Sequence, residues 1–304
     1  MQVLRGIHPN LLPASVLTLG MFDGVHRGHQ ALLAACRTHA DRLGLPAVAL
    51  TYDPHPSRVL RPDAPLRLLT PLPEKLERLA RAGMDYTAIA EFTQAFSQIT
   101  AEAFLRDLLV AGLHPRMVVV GYRTTFGHDR GGTAALLRAF GDAEGIAIDI
   151  VEPIEVAGGP VSSTRIRHCL DAGQVELAAE LLGYRYRVAG VVTRGDGRGH
   201  LLGVPTANLL PPPDKMLPQD GVYVVEVTIA GATRRGVMNI GARPTFGRPA
   251  SLEVHLLDFH ADLYDQPLTV SFLTRLRDIV AFPSVDALLA QIGKDIAEAR
   301  VVVG

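Results

Sequence analysis

The stretch Ser15-Val-Leu-Thr-Leu-Gly-Met-Phe-Asp-Gly-Val-His-Arg-Gly-His29 decides the fold of the first half of the chain. Residues 15–20 form a short apolar run of the kind that buried strands have. The glycines that follow permit a sharp turn. A helical pattern then extends from about residue 28 to residue 42 and ends before Gly44. A strand, a turn and a helix in this order predict the first unit of an α/β sheet.

The same alternation continues along the first half of the chain. Further strands are predicted at 47–52, 86–90, 117–121 and 146–151, and further helices at 73–82, 101–111 and 133–140. This order predicts a parallel, doubly wound sheet that binds ligands at the carboxyl ends of its strands.

The pattern changes near Gly183. Helices are predicted at 163–171 and 175–182, followed by strands at 185–192, 221–229, 234–240, 252–257 and 268–273 and a final helix at 285–300. Consecutive strands without helices between them predict an antiparallel barrel or sandwich. The fold class is therefore α/β plus all-β, with a first domain at 1–183 and a second at 184–304.

Bulk composition narrows the function classes. A formal net charge of -1 over 304 residues argues against nucleic-acid binding. The two cysteines, Cys36 and Cys169, lie in apolar helical patterns and are interpreted as buried thiols in a reducing compartment. The first 13 residues have no signal-peptide pattern, and no apolar run is long enough to span a membrane. We expect a cytoplasmic protein with small-molecule partners, whose oligomeric state the sequence does not fix.

The first chemical motif is the HxGH segment. His26 and His29 flank Gly28 at the predicted start of a helix, where backbone N–H groups favour a phosphate. A metal-binding pair and two surface histidines are the alternatives for the same spacing.

Two further segments border predicted elements: residues 161–167 lie at the start of a helix, and residues 51–56 lie at the end of a strand. In residues 161–167, VSSTRIR, Ser162 or Ser163 can cap the next helix, while Arg165 and Arg167 add positive charge. A plain capped helix with solvated arginines explains this pattern equally well. Residues 51–56, TYDPHP, form a proline-rich turn after a strand.

The second half carries a glycine-rich loop at 195–199 and a polar strand face. Thr206 and Asn208 are two residues apart, so an extended strand points both side chains to one face, where their oxygens can bind Mg²⁺. An ordinary polar face is the alternative. Glu253 is a candidate general base or a solvent-facing residue, and His255 is interpreted as structural.

Taken together, GMFDGVHRGH, TYDPHP and VSSTRIR resemble the signatures of the FMN adenylyltransferase module of bacterial FAD synthetases, which are HxGH nucleotidyltransferases. The resemblance implies transfer of AMP from ATP to FMN, with His26 and His29 stabilising charge at the α-phosphate. It implies ATP-binding roles for Gly20, Phe22, Gly24, Gly28, Ser162, Ser163, Thr164 and Arg167, and flavin-binding roles for Asp53 and Phe126.

Three residues depart from this family pattern. Met21 stands where the family has Asn, and Arg123 and Thr124 stand where it has an Asp and a Phe in GxDFxFG. They motivate the alternative that the first domain is a degenerate nucleotide-binding module and that the chain is only a kinase.

In the second half, GRGHLLGVPTANL, GVYVVEV, GVMNIGARPTFG, LEVHLLDF and DLYDQPLTVSFLTRLR resemble the riboflavin kinase module across 186–300. The resemblance implies a small barrel with a C-terminal helix, in which Glu253 takes the proton from the ribityl 5′-hydroxyl. It assigns Mg²⁺–ATP to Thr206 and Asn208 and the nucleotide phosphates to Gly195, Gly197 and Gly199. It assigns a flavin contact to Asn239, and to Arg277 a contact with the flavin or with a mobile loop. Ile279 replaces an expected Glu.

The leading hypothesis is thus a bifunctional enzyme that uses ATP and Mg²⁺ to convert riboflavin to FMN and FMN to FAD. A nucleotidyltransferase for another phosphorylated alcohol, fused to a flavin-sensing barrel, is a remaining alternative.

Overall fold

A computed structural model describes residues 1–195, 202–243, 248–259 and 261–302. The chain forms two compact units, Met1–Ser163 and Thr164–Gly304. The boundary at 183/184 stays a prediction of where the two catalytic modules meet.

In its described residues the first unit contains ten strands and five α-helices, besides two 3₁₀ turns at Phe96–Gln98 and His128–Arg130. Its strands are β1 (Gln2–Arg5), β2 (Ser15–Leu19), β3 (Ala47–Asp53), β4 (Tyr86–Glu91), β5 (Pro115–Gly121), β6 (Thr125–Phe126), β7 (Gly132–Thr133), β8 (Ala147–Val151), β9 (Glu155–Val156) and β10 (Gly159–Pro160). Its helices are α1 (Arg27–Leu43), α2 (Pro56–Leu60), α3 (Leu72–Arg81), α4 (Ala101–Ala103), which continues as π-helical turns over Phe104–Leu113, and α5 (Ala134–Glu144).

Six of these strands form one parallel sheet in the order β1-β4-β3-β2-β5-β8. The doubly wound sheet is confirmed. The chain moves from β2 toward one edge and returns to β5 on the other side, so β2 and β5 flank the point where the strand order reverses. Ligands of such sheets bind outside the carboxyl ends of the strands at this point. The motif loop leaves β2 there, and α1 begins within the HxGH segment, at Arg27.

Burial on both faces explains why β2 reads as a continuous apolar run. Every residue of Ser15–Leu19 is buried. Leu17 and Leu19 belong to the apolar cluster on one face, and Val16 belongs to the cluster on the other face with Cys36 of α1. Both cysteines are free and buried, as predicted.

The second unit contains α6 (Ser163–Asp171), whose first residue belongs to the first unit, and α7 (Val175–Leu182). Its strands are β11 (Arg187–Thr193), β12 (Ala207–Leu210), β13 (Gly221–Ile229), β14 (Ala232–Arg243), β15 (Arg248–Leu256) and β16 (Pro267–Arg277), and the last helix is α8 (Val285–Val301).

These six strands form a closed antiparallel barrel in the order β11-β12-β15-β14-β13-β16, closed by pairing of β16 with β11. The barrel, one of the two predicted architectures, is therefore correct and the sandwich is wrong. Met238, Ile240 and Val254 are fully buried, while the alternating residues Asn239 and Glu253 are only half-buried. The second set therefore lies on the outer face.

Two candidate nucleotide sites

In the first unit, the two motif histidines form a stacked pair at the start of α1. His26 is the N-cap, and its Nδ1 accepts the backbone N–H of His29 at 3.3 Å. The ring centroids lie 3.7 Å apart with an interplanar angle of 14°. A β-carbon at Gly28 would lie 3.2 Å from the His26 ring, which explains the glycine between the histidines. The interpretation as two surface histidines is wrong for this pair, because His26 is buried and His29 half-buried.

Both histidines are neutral near pH 7. Burial lowers the pKa of His26 to about 4, although the charge of Asp23 acts in the opposite direction. Burial also lowers the pKa of His29 well below its usual value, and the nearby His26 and Lys75 lower it further. The Nδ1 atom of His29 is buried, and no described residue hydrogen-bonds to it. The pair can therefore offer N–H groups to an anion, but little positive charge.

Asp23, which the sequence analysis did not select, fixes the loop between β2 and α1. Its carboxylate accepts the backbone N–H groups of Leu69 at 3.3 Å and Thr70 at 2.9 Å. Its backbone carbonyl accepts the Ser163 hydroxyl at 2.7 Å. The start of the VSSTRIR segment is thereby brought against the GMFDGVHRGH loop.

A buried lysine was also missed. Lys75 lies in the first turn of α3, and its Nζ donates to Thr51 Oγ1 at 3.3 Å. The Thr51 hydroxyl in turn donates to the carbonyl of Met21 at 3.3 Å. Because Thr51 belongs to β3, these bonds connect the TYDPHP strand, α3 and the motif loop.

The other residues predicted for this site have different surroundings. Phe22 is fully buried at a φ of 49° and meets the His29 ring edge-on at 5.3 Å. Asp53 ends β3 and lies 3.7 Å from Arg5. Phe126 is buried in the core, stacked on Phe104 at 5.3 Å. The flavin role of Phe126 stays a prediction.

The phosphate roles of the remaining motif residues also stay predictions. Gly20 and Gly24 flank the motif loop, and Gly24 donates its N–H to Thr70 Oγ1 at 2.8 Å. Ser162 directly precedes α6, while Thr164 and Arg167 lie on α6 within the second unit.

In the second unit, Glu253 lies in a row of residues that crosses the outer face of the barrel. Asn208 of β12 and Asn239 of β14 are its direct partners on the two neighbouring strands. Asn239 is opposite Val222 of β13, which is opposite Arg277 of β16. Directly opposed residues point to the same face. The side chains of Asn208, Glu253 and Asn239, which were predicted from different motifs, therefore lie side by side.

A cavity of about 410 Å³ lies between this face and α8. Thr206, Asn239, Glu253, His255, Arg277 and Asp295 supply its polar lining. The apolar lining comes from Leu202, Val204, Val222, Val237, Ile279, Val280, Phe282, Leu288, Ile292 and Ile296. A carboxylate and polar neighbours facing an apolar pocket suit a ligand with a flat apolar part and a polar chain. Asp295 is a residue that the sequence analysis missed.

The glycine-rich loop enters this site through Gly195. A β-carbon at Gly195 would overlap the side-chain amide of Asn208, so any larger residue there would displace this amide. Gly197 and Gly199 lie outside the described residues. His255 Nδ1 hydrogen-bonds to the Pro205 carbonyl at 2.8 Å, which supports its structural interpretation.

The polar residues of this site fit a magnesium ion shared with the phosphates of ATP better than a metal ion that the protein holds by itself. The Thr206 hydroxyl and the Asn208 amide provide hard oxygens, which Mg²⁺ prefers together with substrate phosphates. Among the described residues, no three His, Cys, Asp or Glu side chains are grouped so that they could hold a metal by themselves.

Comparison with protein families matches each unit separately. Residues 8–165 match the FAD synthetase family model, and residues 182–303 match the riboflavin kinase family model.

Curated relatives match over the full length. A protein of Pseudomonas fluorescens is 41% identical, and the match covers 99% of this chain and 98% of that protein. A protein of Escherichia coli is 39% identical over 100% of this chain and 98% of its own length. A protein of Bacillus subtilis is 35% identical over 98% of this chain and 97% of its own length. Each is described as a bifunctional riboflavin kinase/FMN adenylyltransferase.

A solved structure from Streptococcus pneumoniae, described as a macrolide-efflux protein, superposes with a TM-score of 0.92 at 33% identity over the whole of both chains. The likeness shows a shared two-unit fold. In the described part of the present chain, no helix is long and apolar enough to cross a membrane.

Proposed function

The chain belongs to the family of bifunctional riboflavin kinase/FMN adenylyltransferases, and from this premise we propose how its two sites perform the two reactions. It forms FMN and FAD, with ATP as the donor in both steps. The alternatives of a kinase with a degenerate first domain and of a flavin-sensing barrel are not favoured, because residues 8–165 match FAD synthetase and 182–303 match riboflavin kinase.

In the kinase site, Glu253 is the general base. Its carboxylate takes the proton of the ribityl 5′-hydroxyl as that oxygen attacks the γ-phosphorus of ATP, and the bond to ADP breaks. Asn239, on the adjacent strand, orients the ribityl chain, while the apolar wall from α8 holds the flavin ring. The observation that supports this assignment is the row in which Glu253 lies between Asn208 and Asn239.

Thr206, directly before the neighbouring strand β12, and Asn208, on that strand, hold the nucleotide with Mg²⁺. When bound, the ion neutralises phosphate charge. Gly195 lets the phosphate loop approach Asn208 closely, because it has no β-carbon that would meet the Asn208 amide.

In the adenylyltransferase site, an oxygen of the FMN phosphate attacks the α-phosphorus of ATP, and pyrophosphate leaves as the α–β bridging bond breaks. No protein nucleophile is needed, because positioning and electrostatic stabilisation supply the catalysis. Neutral His26 and His29 donate N–H groups to the α-phosphate at the positive end of α1. Ser163, Thr164 and Arg167 hold the outer phosphates.

Product analysis tests this division. Purified protein with FMN, ATP and Mg²⁺ is expected to form FAD and pyrophosphate, and with riboflavin it is expected to form FMN first. FMN formation without any FAD would instead show that the first unit is a degenerate nucleotide-binding module. Met21, Arg123 and Thr124, which depart from the family pattern, are the reason for considering this alternative.

A further inference from the structure

Lys75 has fewer partners than a buried ammonium group needs. Lys75 as a whole is only 6% exposed. A lysine ammonium has three N–H donors, but within the described residues it makes one hydrogen bond, to Thr51 Oγ1, and no salt bridge. Buried charged groups are otherwise paired, because removing them from water is expensive.

The nearby carboxylates do not supply the missing partners. The negative charges of Asp23 and Asp53 raise the pKa of Lys75, but burial has the larger effect and lowers it. Asp23 already accepts two backbone N–H groups from Leu69 and Thr70. Asp53 lies at the surface end of β3, next to Arg5.

A second buried group, without a hydrogen-bond partner among the described residues, lies near this ammonium group. His29 interacts electrostatically with Lys75, and its Nδ1 is buried without a described hydrogen-bond partner. His29 lies in the first turn of α1, where the helix dipole is positive, although its own backbone N–H is already capped by His26 Nδ1. An ammonium group, an imidazole and a helix start together match the oxygens of a phosphate.

We propose that Lys75 is a catalytic residue of adenylyl transfer, whose ammonium group binds a phosphate oxygen of the reacting ATP or FMN. The proposal rests on the proposed function of the first unit and extends it to a residue outside the family signatures. The ammonium group stabilises the negative charge of the phosphate that it binds in the transition state. Its position on α3 means that this helix, and not only the motif loop, shapes the phosphate site.

The test compares Lys75→Met and Lys75→Arg with Arg81→Met, a control on the same helix whose side chain is 71% exposed. We expect Lys75→Met to lower kcat/KM for FMN adenylylation by about 100-fold, the effect typical of losing one donor to a developing anion. Lys75→Arg retains part of the activity because it retains the charge. Arg81→Met stays at the wild-type level, and riboflavin phosphorylation by each variant serves as the internal control.

Separate titrations identify the phosphate. An increased KM for ATP assigns the contact to the triphosphate, and an increased KM for FMN assigns it to the flavin phosphate; either supports the proposal. Thermal unfolding without ligand distinguishes a structural role. Replacing an incompletely paired buried charge with an apolar side chain leaves stability equal or higher, whereas loss of a structural support lowers Tm.

Two results would overturn the proposal: adenylylation by Lys75→Met within about threefold of wild type, or a fall in Tm that fully accounts for lost activity. An absence of FAD formation by the wild-type protein would instead refute the proposed function itself.

Discussion

Arg277 donates from Nε and Nη2 to the two carboxylate oxygens of Asp295, at 3.1 and 2.7 Å. Asp295 is 4% exposed, and its Oδ1 also accepts the side-chain amide of Gln291 at 2.8 Å. The ion pair ties the end of β16 to α8 across the wall of the kinase cavity. Arg277, predicted as a flavin contact, therefore also holds the helix that encloses the flavin pocket.

Asp295→Asn should weaken riboflavin binding, since it leaves the Arg277 guanidinium without its charge partner. We expect the KM for riboflavin to rise about tenfold, equivalent to ~1.4 kcal/mol, with FMN adenylylation unchanged. Steady-state kinetics of both reactions, with the exposed Asp286→Asn of the same helix as control, check this. An unaltered KM would show that the pair does not position the wall.

Glu253→Gln should remove the general base while preserving the size and polarity of the side chain. The kinase kcat is expected to fall by about 10²–10⁴, with ATP and riboflavin binding retained in calorimetry. FMN adenylylation should continue at the wild-type rate. Kinase turnover that stays within a few-fold of wild type would assign the proton transfer to another group.

His29→Ala should stop FAD formation and leave FMN formation intact, because the two reactions use different pockets. The expected loss in adenylylation is at least about 100-fold, measured by chromatography of the flavins. His8→Ala, at an exposed histidine, is the control. Equal loss of both activities would contradict the separation.

The neutral state of His26 predicts a pH dependence of stability. The unfolded chain binds a proton on this histidine below about pH 6.5, while the folded protein, in which its pKa is about 4, does not. Acid therefore favours the unfolded state, and stability falls as pH decreases from 6.5 toward 4.

Between pH 7.5 and 5 this histidine should account for about 2 kcal/mol of lost stability. Denaturant unfolding of the full chain at both pH values, compared with His26→Gln, measures the contribution of His26 together with its coupling to His29, because the contributions of groups away from this pair cancel. The same pH dependence in both proteins would show that His26 titrates normally when folded.

Gly195→Ala should raise the KM for Mg²⁺–ATP in the kinase reaction, because the added methyl group displaces the Asn208 amide. Gly293→Ala on α8 is a matched control, as nothing lies within 4 Å of a β-carbon there. Kinetics at varied Mg²⁺–ATP check the result, and indistinguishable effects of the two substitutions would exclude a role for the close approach.

Strands and helices with a strong apolar period were predictable from the sequence. The bounds of α6, α7 and β13 agree with those predicted, and β2 followed from its uninterrupted apolar run. β1 was missed because it is short and mostly exposed, and β12 because it has only four residues between two proline-containing turns. The π-helical turns of Phe104–Leu113 have no local signal in sequence.

The chemistry was predictable where it lies in a contiguous motif. His26, His29 and Glu253 belong to such segments, whereas Lys75 and Asp295 are single charged residues in amphipathic helices. Such residues usually face solvent, and only tertiary packing reveals that these two are buried. The alignment of Asn208, Glu253 and Asn239 likewise depends on strand register, which no single segment contains.

A mixing experiment tests the two-site account most directly. Given riboflavin, ATP and Mg²⁺, His29→Ala should stop at FMN and Glu253→Gln should form neither product, while the two variants together should form FAD as FMN passes from one protein to the other. A mixture that accumulates FMN without FAD, although wild type completes both steps, would contradict the claim that each unit carries its own working site.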